Sequence, residues 1–132
     1  LLTVPAKCCK PAPPDAIIGF VSRGRGVTIH RRDCRNVARL DPERLVEADW
    51  GTTAGDVFAV DIEVLATDRT ALLRDISEVL SREKINVTAT RTASRNLSAR
   101  MQFTLEISNL EQLRQVLRLI NEVPGVMRAA RR

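Results

Sequence analysis

Phe58-Ala59-Val60-Asp61-Ile62-Glu63-Val64 sets large apolar residues against small or acidic ones at every second position. A period of two marks a strand with one buried and one wet face. Downstream, Leu72, Leu73, Ile76, Val79 and Leu80 recur at three-four spacing, which predicts an amphipathic helix that Asp68 is placed to cap. Val87 to Arg95 is extended and rich in Thr, Asn96 supplies a turn, and Met101, Phe103, Leu105 and Ile107 alternate with Gln102, Thr104 and Glu106. These two segments should pair as a hairpin. Leu110, Leu113, Val116, Leu117 and Ile120 form a second helical stripe that stops at Pro124-Gly125, and Val126 to Ala130 is a last short strand. Strand-helix-strand, repeated over about 57–95 and 99–130, interleaves into a four-stranded antiparallel sheet with both helices on one face, the ferredoxin-like plan. The other face, carrying Asp61, Glu63, Gln102, Thr104 and Glu106, is expected to be solvated.

Upstream, the pattern breaks at Gly51-Thr52-Thr53-Ala54-Gly55-Asp56, which predicts two domains, residues 1–52 and 53–132. In the first, Lys10-Pro11-Ala12-Pro13-Pro14-Asp15 must be an extended turn. Ile17 to Val21 and Val27 to His30 read as short strands joined by the tight loop Arg23-Gly24-Arg25-Gly26. Residues 31–40 read as helix and Leu45 to Trp50 as a closing strand. About fifty residues make a poor core, and a metal would compensate. The fold class is α+β: a small Cys/His zinc-binding β/α module followed by a ferredoxin-like βαββαβ domain.

Cys8, Cys9 and Cys34 lie in the first quarter of the chain, with the only histidine, His30. An odd count suits a disulfide framework poorly, so reduced thiols, held by a metal or buried, are expected. His30 and Cys34, four apart, would share one face of a helix beginning near residue 30. Three thiolates and an imidazole are a common donor set for tetrahedral zinc. Cys8 and Cys9 can both ligate only if the backbone turns between them. The same residues also read as buried cysteines beside a satisfied histidine, or as a thiol redox switch. A Cys/His nucleophile is a further reading, one without an orienting third group.

The net charge of +5 is uneven: residues 1–40 carry eight Lys and Arg against two Asp, and the rest of the chain is close to neutral. A basic segment of this kind points to a polyanionic partner or to a solvated arginine face. Lys7, Lys10, Arg23, Arg25, Arg31 and Arg32 surround the Cys/His set and suit phosphates. With three Phe, one Trp and no Tyr, base stacking is poorly served, so RNA would be held through backbone and shape. No Gly-rich nucleotide loop is present, and the apolar runs are far too short for a membrane span. The opening Leu1-Leu2-Thr3 reads as the start of an excised fragment. In the second domain, helix N-terminal amides behind Asp68-Arg69-Thr70-Ala71-Leu72-Leu73 can hold a carboxylate; equally, Asp68 can be a simple cap and Asn86 a turn residue.

Three segments carry a resemblance: Ala6-Lys7-Cys8-Cys9-Lys10-Pro11-Ala12-Pro13-Pro14-Asp15; Ile18-Gly19-Phe20-Val21-Ser22-Arg23-Gly24-Arg25-Gly26-Val27; and His30-Arg31-Arg32-Asp33-Cys34. They resemble the conserved-cysteine (zinc-finger) domain of long RelA/SpoT-type alarmone enzymes, and the remainder is similar to the ACT domain that ends those proteins. The segment from Asn86 to Arg132 is nearer the RelA branch than the SpoT branch. The resemblance implies a non-catalytic cytoplasmic regulatory fragment. Its parent would be a GTP pyrophosphokinase, which makes (p)ppGpp in the stringent response and in bifunctional relatives also hydrolyses it. It implies docking on the ribosome through ribosomal RNA, control of the N-terminal catalytic domains of the same protein, and zinc held by Cys8, Cys9, His30 and Cys34. It also implies homodimerisation through the ACT domain, with a branched-chain amino acid bound near Asp68, Arg69, Leu72, Leu73 and Asn86. Ala71 departs from the glycine usual in that loop, which would narrow the site. An amino-acid sensor and a thiol redox switch are the competing functions.

Overall fold

The computed structural model describes residues 2–24, 26–51 and 55–132. The expected break at 51–56 and the boundary after residue 52 lie largely outside the described residues. The first module is a four-stranded sheet built from β1 (Thr3–Pro5), β2 (Ile17–Ser22), β3 (Gly26–Arg31) and β4 (Leu45–Glu47), in the order β1-β3-β2-β4. β1, which had no periodic signal, runs parallel to β3, while β2 is antiparallel to both neighbours. Gly19 lies in central β2, where a methyl group would press on Val27 and Val46.

Residues 31–40 are not the expected α-helix. β3 continues through His30 to Arg31, and only two short 3₁₀ helices follow, Arg35–Arg39 and Pro42–Arg44. Neither buries a residue, so no apolar stripe stabilises a longer helix. The closing strand also stops early, at Glu47, and leaves Trp50 outside it.

The second module follows the predicted plan: β5 (Phe58–Thr67), α1 (Leu72–Arg82), β6 (Asn86–Arg95), β7 (Ser98–Ile107), α2 (Leu110–Asn121) and β8 (Val126–Arg131), with sheet order β6-β7-β5-β8. Val60, Ile62 and Val64 of β5 join Met101, Phe103 and Leu105 of β7 under Ile76, Leu80, Val116 and Ile120 in one core. Burial of this many aliphatic side chains, at about 25 cal/mol per Å² of apolar surface, is the main stabilising term. Asn96 and Leu97 both take positive φ, 50° and 66°, as a two-residue hairpin of type I′ requires. Asn109 caps α2 by accepting from Gln112 N at 3.0 Å. Asp68 does not cap α1: the helix begins after Ala71, whose φ is +67°, with no side-chain cap.

The two modules are in contact. Ala12 is fully buried in the second module's core, Leu110 N donates to Pro13 O at 2.9 Å, and Trp50 packs edge-on against Phe58 at 5.3 Å. Arg131 grips both carboxylate oxygens of Asp15, at 2.9 and 3.1 Å, and also donates to Lys10 O. The sheet face expected to be solvated is therefore only half exposed at Asp61, Glu63, Gln102, Thr104 and Glu106.

Candidate metal centre

The chain turns tightly at the cysteine pair: Lys10 N donates to Ala6 O at 2.9 Å, and Lys10 takes a φ of +44°. This turn overcomes the opposed directions of neighbouring side chains. It directs Cys8 and Cys9 to the same place, where the last residues of β3 deliver His30. Cys34 returns through another turn, with Cys34 N donating to Arg31 O at 3.0 Å. His30 and Cys34 thus meet across a strand-end turn, and the shared helix face expected for them does not exist.

The four ligand atoms all lie within 4.8 Å of one another. Cys8 Sγ is 3.6 Å from both His30 Nδ1 and Cys34 Sγ, and Cys9 Sγ is 3.8 Å from His30 Nδ1. A zinc tetrahedron with sulfur bonds of ~2.3 Å has edges of about 3.7 Å. The group can hold a metal ion. Cys9 Sγ also accepts from Arg31 N at 3.3 Å, a hydrogen bond that would orient a ligating thiolate.

The electrostatics fit a cation. Burial holds His30 below the usual histidine range, so it is neutral and able to donate a lone pair. Burial, with the neighbouring thiols, pushes Cys9 up to about 12. Burial also opposes ionisation of Cys8, but hydrogen bonds from Asn36 and the other cysteines outweigh it and pull that thiol down. Three crowded thiols cannot all ionise without positive charge between them, and a divalent ion would reverse the penalty at Cys9.

Of the six cations predicted to face RNA, three are engaged inside the chain. Lys10 is paired with Asp61, Arg31 with Asp33, and Arg32 with Glu47. Lys7 and Arg23 are exposed and make no ion pair with any described residue, and Arg25 lies outside the described residues. Sequence reasoning missed Asp61 and Asp15 as partners of Lys10 and Arg131. Charge complementarity was visible, but nothing local indicated that residues 51 and 116 positions apart would meet.

The predicted ligand loop of the second module does not close on itself. Arg69 is held by Asp75, by Pro124 O and by Thr70 O. Leu72 is buried and Leu73 is 44% exposed. Asn86 donates to Glu106 at the far end of the sheet. Thr67, next to Asp68, lies opposite Ser98, while Asn86 lies opposite Glu106. Eight residues of β7 separate the two places, or about 27 Å at the usual strand rise.

Residues 54–131 match the ACT domain and residues 1–51 match the RelA/SpoT RIS domain. The chain belongs to the ACT-domain family, in the form joined to a RelA/SpoT RIS domain. It is 43% identical over 131 residues to a GTP pyrophosphokinase of Escherichia coli K12, covering 96% of this chain and 18% of that protein. It is 45% identical over 124 residues to a GTP pyrophosphokinase of Streptomyces coelicolor, covering 92% of this chain and 15% of that protein. It is also 43% identical over 129 residues to the bifunctional (p)ppGpp synthase/hydrolase RelA of Mycobacterium tuberculosis, covering 96% and 18% respectively. The chain thus spans less than a fifth of the curated relatives it matches. The ACT domain from a GTP pyrophosphokinase of Chlorobium tepidum superposes with a TM-score of 0.54 at 17% identity, covering 58% of this chain and all of that one, a likeness of fold. No described helix is long and apolar enough to cross a membrane.

Proposed function

We propose that the chain is a non-catalytic, cytoplasmic regulatory fragment of a GTP pyrophosphokinase. It docks on the ribosome through ribosomal RNA and controls the N-terminal synthetase of the same protein. The observation that carries this reading is the basic RIS-matching module gathered around a preassembled Cys/His donor set. Zinc held by Cys8, Cys9, His30 and Cys34 would fix the platform, and Lys7, Arg23 and Arg25, with Arg31 and Arg32 released from or sharing their carboxylates, would meet phosphates. When bound, the metal supplies folding energy and fixed geometry. Lys7, between β1 and the cysteine turn, and Arg23, at the tip of the β2–β3 loop, then stand on rigid supports.

Co-sedimentation of the chain with ribosomes over a range of salt tests this. If three or four cations reach phosphates, affinity falls with salt at a log–log slope of about −2 to −4. Arg23→Ala and Lys7→Ala each make the slope shallower by about one unit. Unchanged ribosome affinity in both variants would contradict docking through this face.

Dimerisation through the ACT domain is the second part of the reading. Edge strand β6 is exposed along nearly its whole length, and such an edge needs a partner or protection. A second copy placed edge to edge on β6 would supply the Asn86 that a single chain keeps apart from Asp68 and Arg69. A branched-chain amino acid would bind there, in the dimer alone.

A further inference from the structure

The metal loop does not stand free. It roofs part of the open face of the ACT sheet and encloses a cleft of ≈ 790 Å³ between Lys7–Lys10 and strands β5 and β8, within the size range of small-molecule sites. The floor follows from register. Glu63 pairs with Ala130 and Leu65 with Arg128, and Arg132 N donates to Asp61 O. Arg128, Ala130 and Arg132 therefore alternate onto this face, and all three line the cleft.

The acidic residues of the floor are already engaged. Asp61 accepts from Lys10 at 2.6 and 2.7 Å and from Thr104 at 2.7 Å. Glu63 accepts from Gln102 at 3.5 Å and faces Arg100 at 3.8 Å. Arg131, also in the lining, is taken up by Asp15. That leaves Lys7, Arg35, Arg128 and Arg132 lining one cleft with no ion-pair partner among the described residues. Asp61 also attracts Arg132, but six cations against two carboxylates line the cleft, an excess of positive charge that a bound anion would offset. Among the described residues the lining contains no aromatic side chain, so a base would find nothing to stack on, and the feature recognised is phosphate. Arg23, at the loop tip, is not part of the lining.

We propose that this inter-module cleft binds a small polyphosphate anion, a pyrophosphate or triphosphate group held by Lys7, Arg35, Arg128 and Arg132. The site shares Lys7 with the proposed docking face, but Arg35, Arg128 and Arg132 are not among the docking cations, so the two bindings are separable through Arg128 and Arg132. Because its cations come from both modules, the bound anion also fastens the RIS module to the ACT sheet.

Calorimetric titration of the full chain with inorganic pyrophosphate and tripolyphosphate tests the proposal, with sulfate, ATP, GTP and a single-stranded RNA as further arms and metal content measured before and after. The expected result is saturable binding of one pyrophosphate per chain, with sulfate at least tenfold weaker. ATP and GTP should bind about as well as tripolyphosphate. Arg128→Gln with Arg132→Gln should weaken pyrophosphate at least tenfold at an unchanged melting temperature, and Arg23→Gln should have no effect. Absence of saturable pyrophosphate binding, indifference to the Arg128 and Arg132 substitutions, or heat that tracks metal lost to the titrant would each overturn it. So would loss of RNA binding alone in the double variant, which would assign these arginines to the docking face.

Discussion

Lys10 Nζ lies 2.6 and 2.7 Å from the two carboxylate oxygens of Asp61, so the residue directly after the cysteine pair is anchored to the first strand of the ACT sheet. Thr104 Oγ1 completes the site by donating to Asp61 Oδ1. Order in the cysteine loop is thereby tied to a specific place on the other module. The pair is about a quarter exposed on each side, so solvent screens it, and its coupling energy should be about 1 kcal/mol. A double-mutant cycle of Lys10→Met and Asp61→Asn, read by urea unfolding of the full chain, measures it. Additive effects would mean that the contact contributes nothing.

The Arg131–Asp15 pair is better sheltered, at 16% and 13% side-chain exposure, and Asp15 also accepts from Ala12 N at 2.8 Å. Asp15→Ala strands a guanidinium and a backbone donor at the module interface, and should cost about 2 to 3 kcal/mol. Arg131→Gln should cost less, because the glutamine amide can still donate a hydrogen bond to Asp15, which also keeps the Ala12 N–H donor.

Acid should weaken the same interface. Burial raises Asp15 and Asp61, but hydrogen bonds from Arg131 and Ala12, and from Lys10 and Thr104, outweigh it and hold both carboxyls below their ordinary range. The folded chain therefore binds these protons less tightly than the unfolded chain. The stability they contribute is complete above the unfolded value near pH ~4 and is lost as pH falls through the lower folded values. Unfolding midpoints measured from pH 6 to pH 2 should drop on the acid side, and Asp15→Asn should flatten that limb. An unaltered limb would remove Asp15 from the explanation.

Ala71 sits at φ +67° and ψ 11° at the start of α1, a conformation that costs an L-residue roughly 1–2 kcal/mol and glycine almost nothing. Ala71→Gly should raise stability by about 0.5 to 1 kcal/mol once the added chain entropy of glycine is subtracted. If the Ala71 methyl is what narrows the ligand loop, the same variant should also bind valine more tightly. A lower melting temperature would show that the methyl packs usefully.

The exposed β6 edge should bring two chains together. Sedimentation of the full chain at tens of micromolar should show a dimer, and an Arg91→Pro change in the middle of β6 should leave monomers. A strictly monomeric wild-type chain would remove the shared amino-acid site as well.

The ACT fold was legible because its strands and helices carry clean periods, from the Phe58–Val64 alternation to the Leu110–Ile120 stripe. The first module was harder to read. β1 has three exposed residues and so no pattern, and residues 31–40 lack the buried stripe that separates an α-helix from short 3₁₀ turns. Residue type and spacing pointed to Cys8, Cys9, His30 and Cys34 as one candidate donor set among other readings; the structure brings the four together, but through a strand-end turn and not a shared helix face. What the sequence concealed was long-range: no local pattern shows that Lys10 meets Asp61, that Arg131 meets Asp15, or that Arg128 and Arg132 share a cleft with Lys7.

The most direct measurement is the metal content of the full chain purified without added zinc, alongside Cys8→Ser, Cys9→Ser and Cys34→Ser. We expect about one zinc per chain in the wild type and a loss of at least tenfold in affinity in each variant. Chelation should unfold residues 2–50, seen as lost amide protection, while the ACT core around Ile62, Leu105 and Val116 stays protected at reduced stability. A metal-free chain whose first module keeps its protection with and without chelator would contradict a metal-organised docking platform.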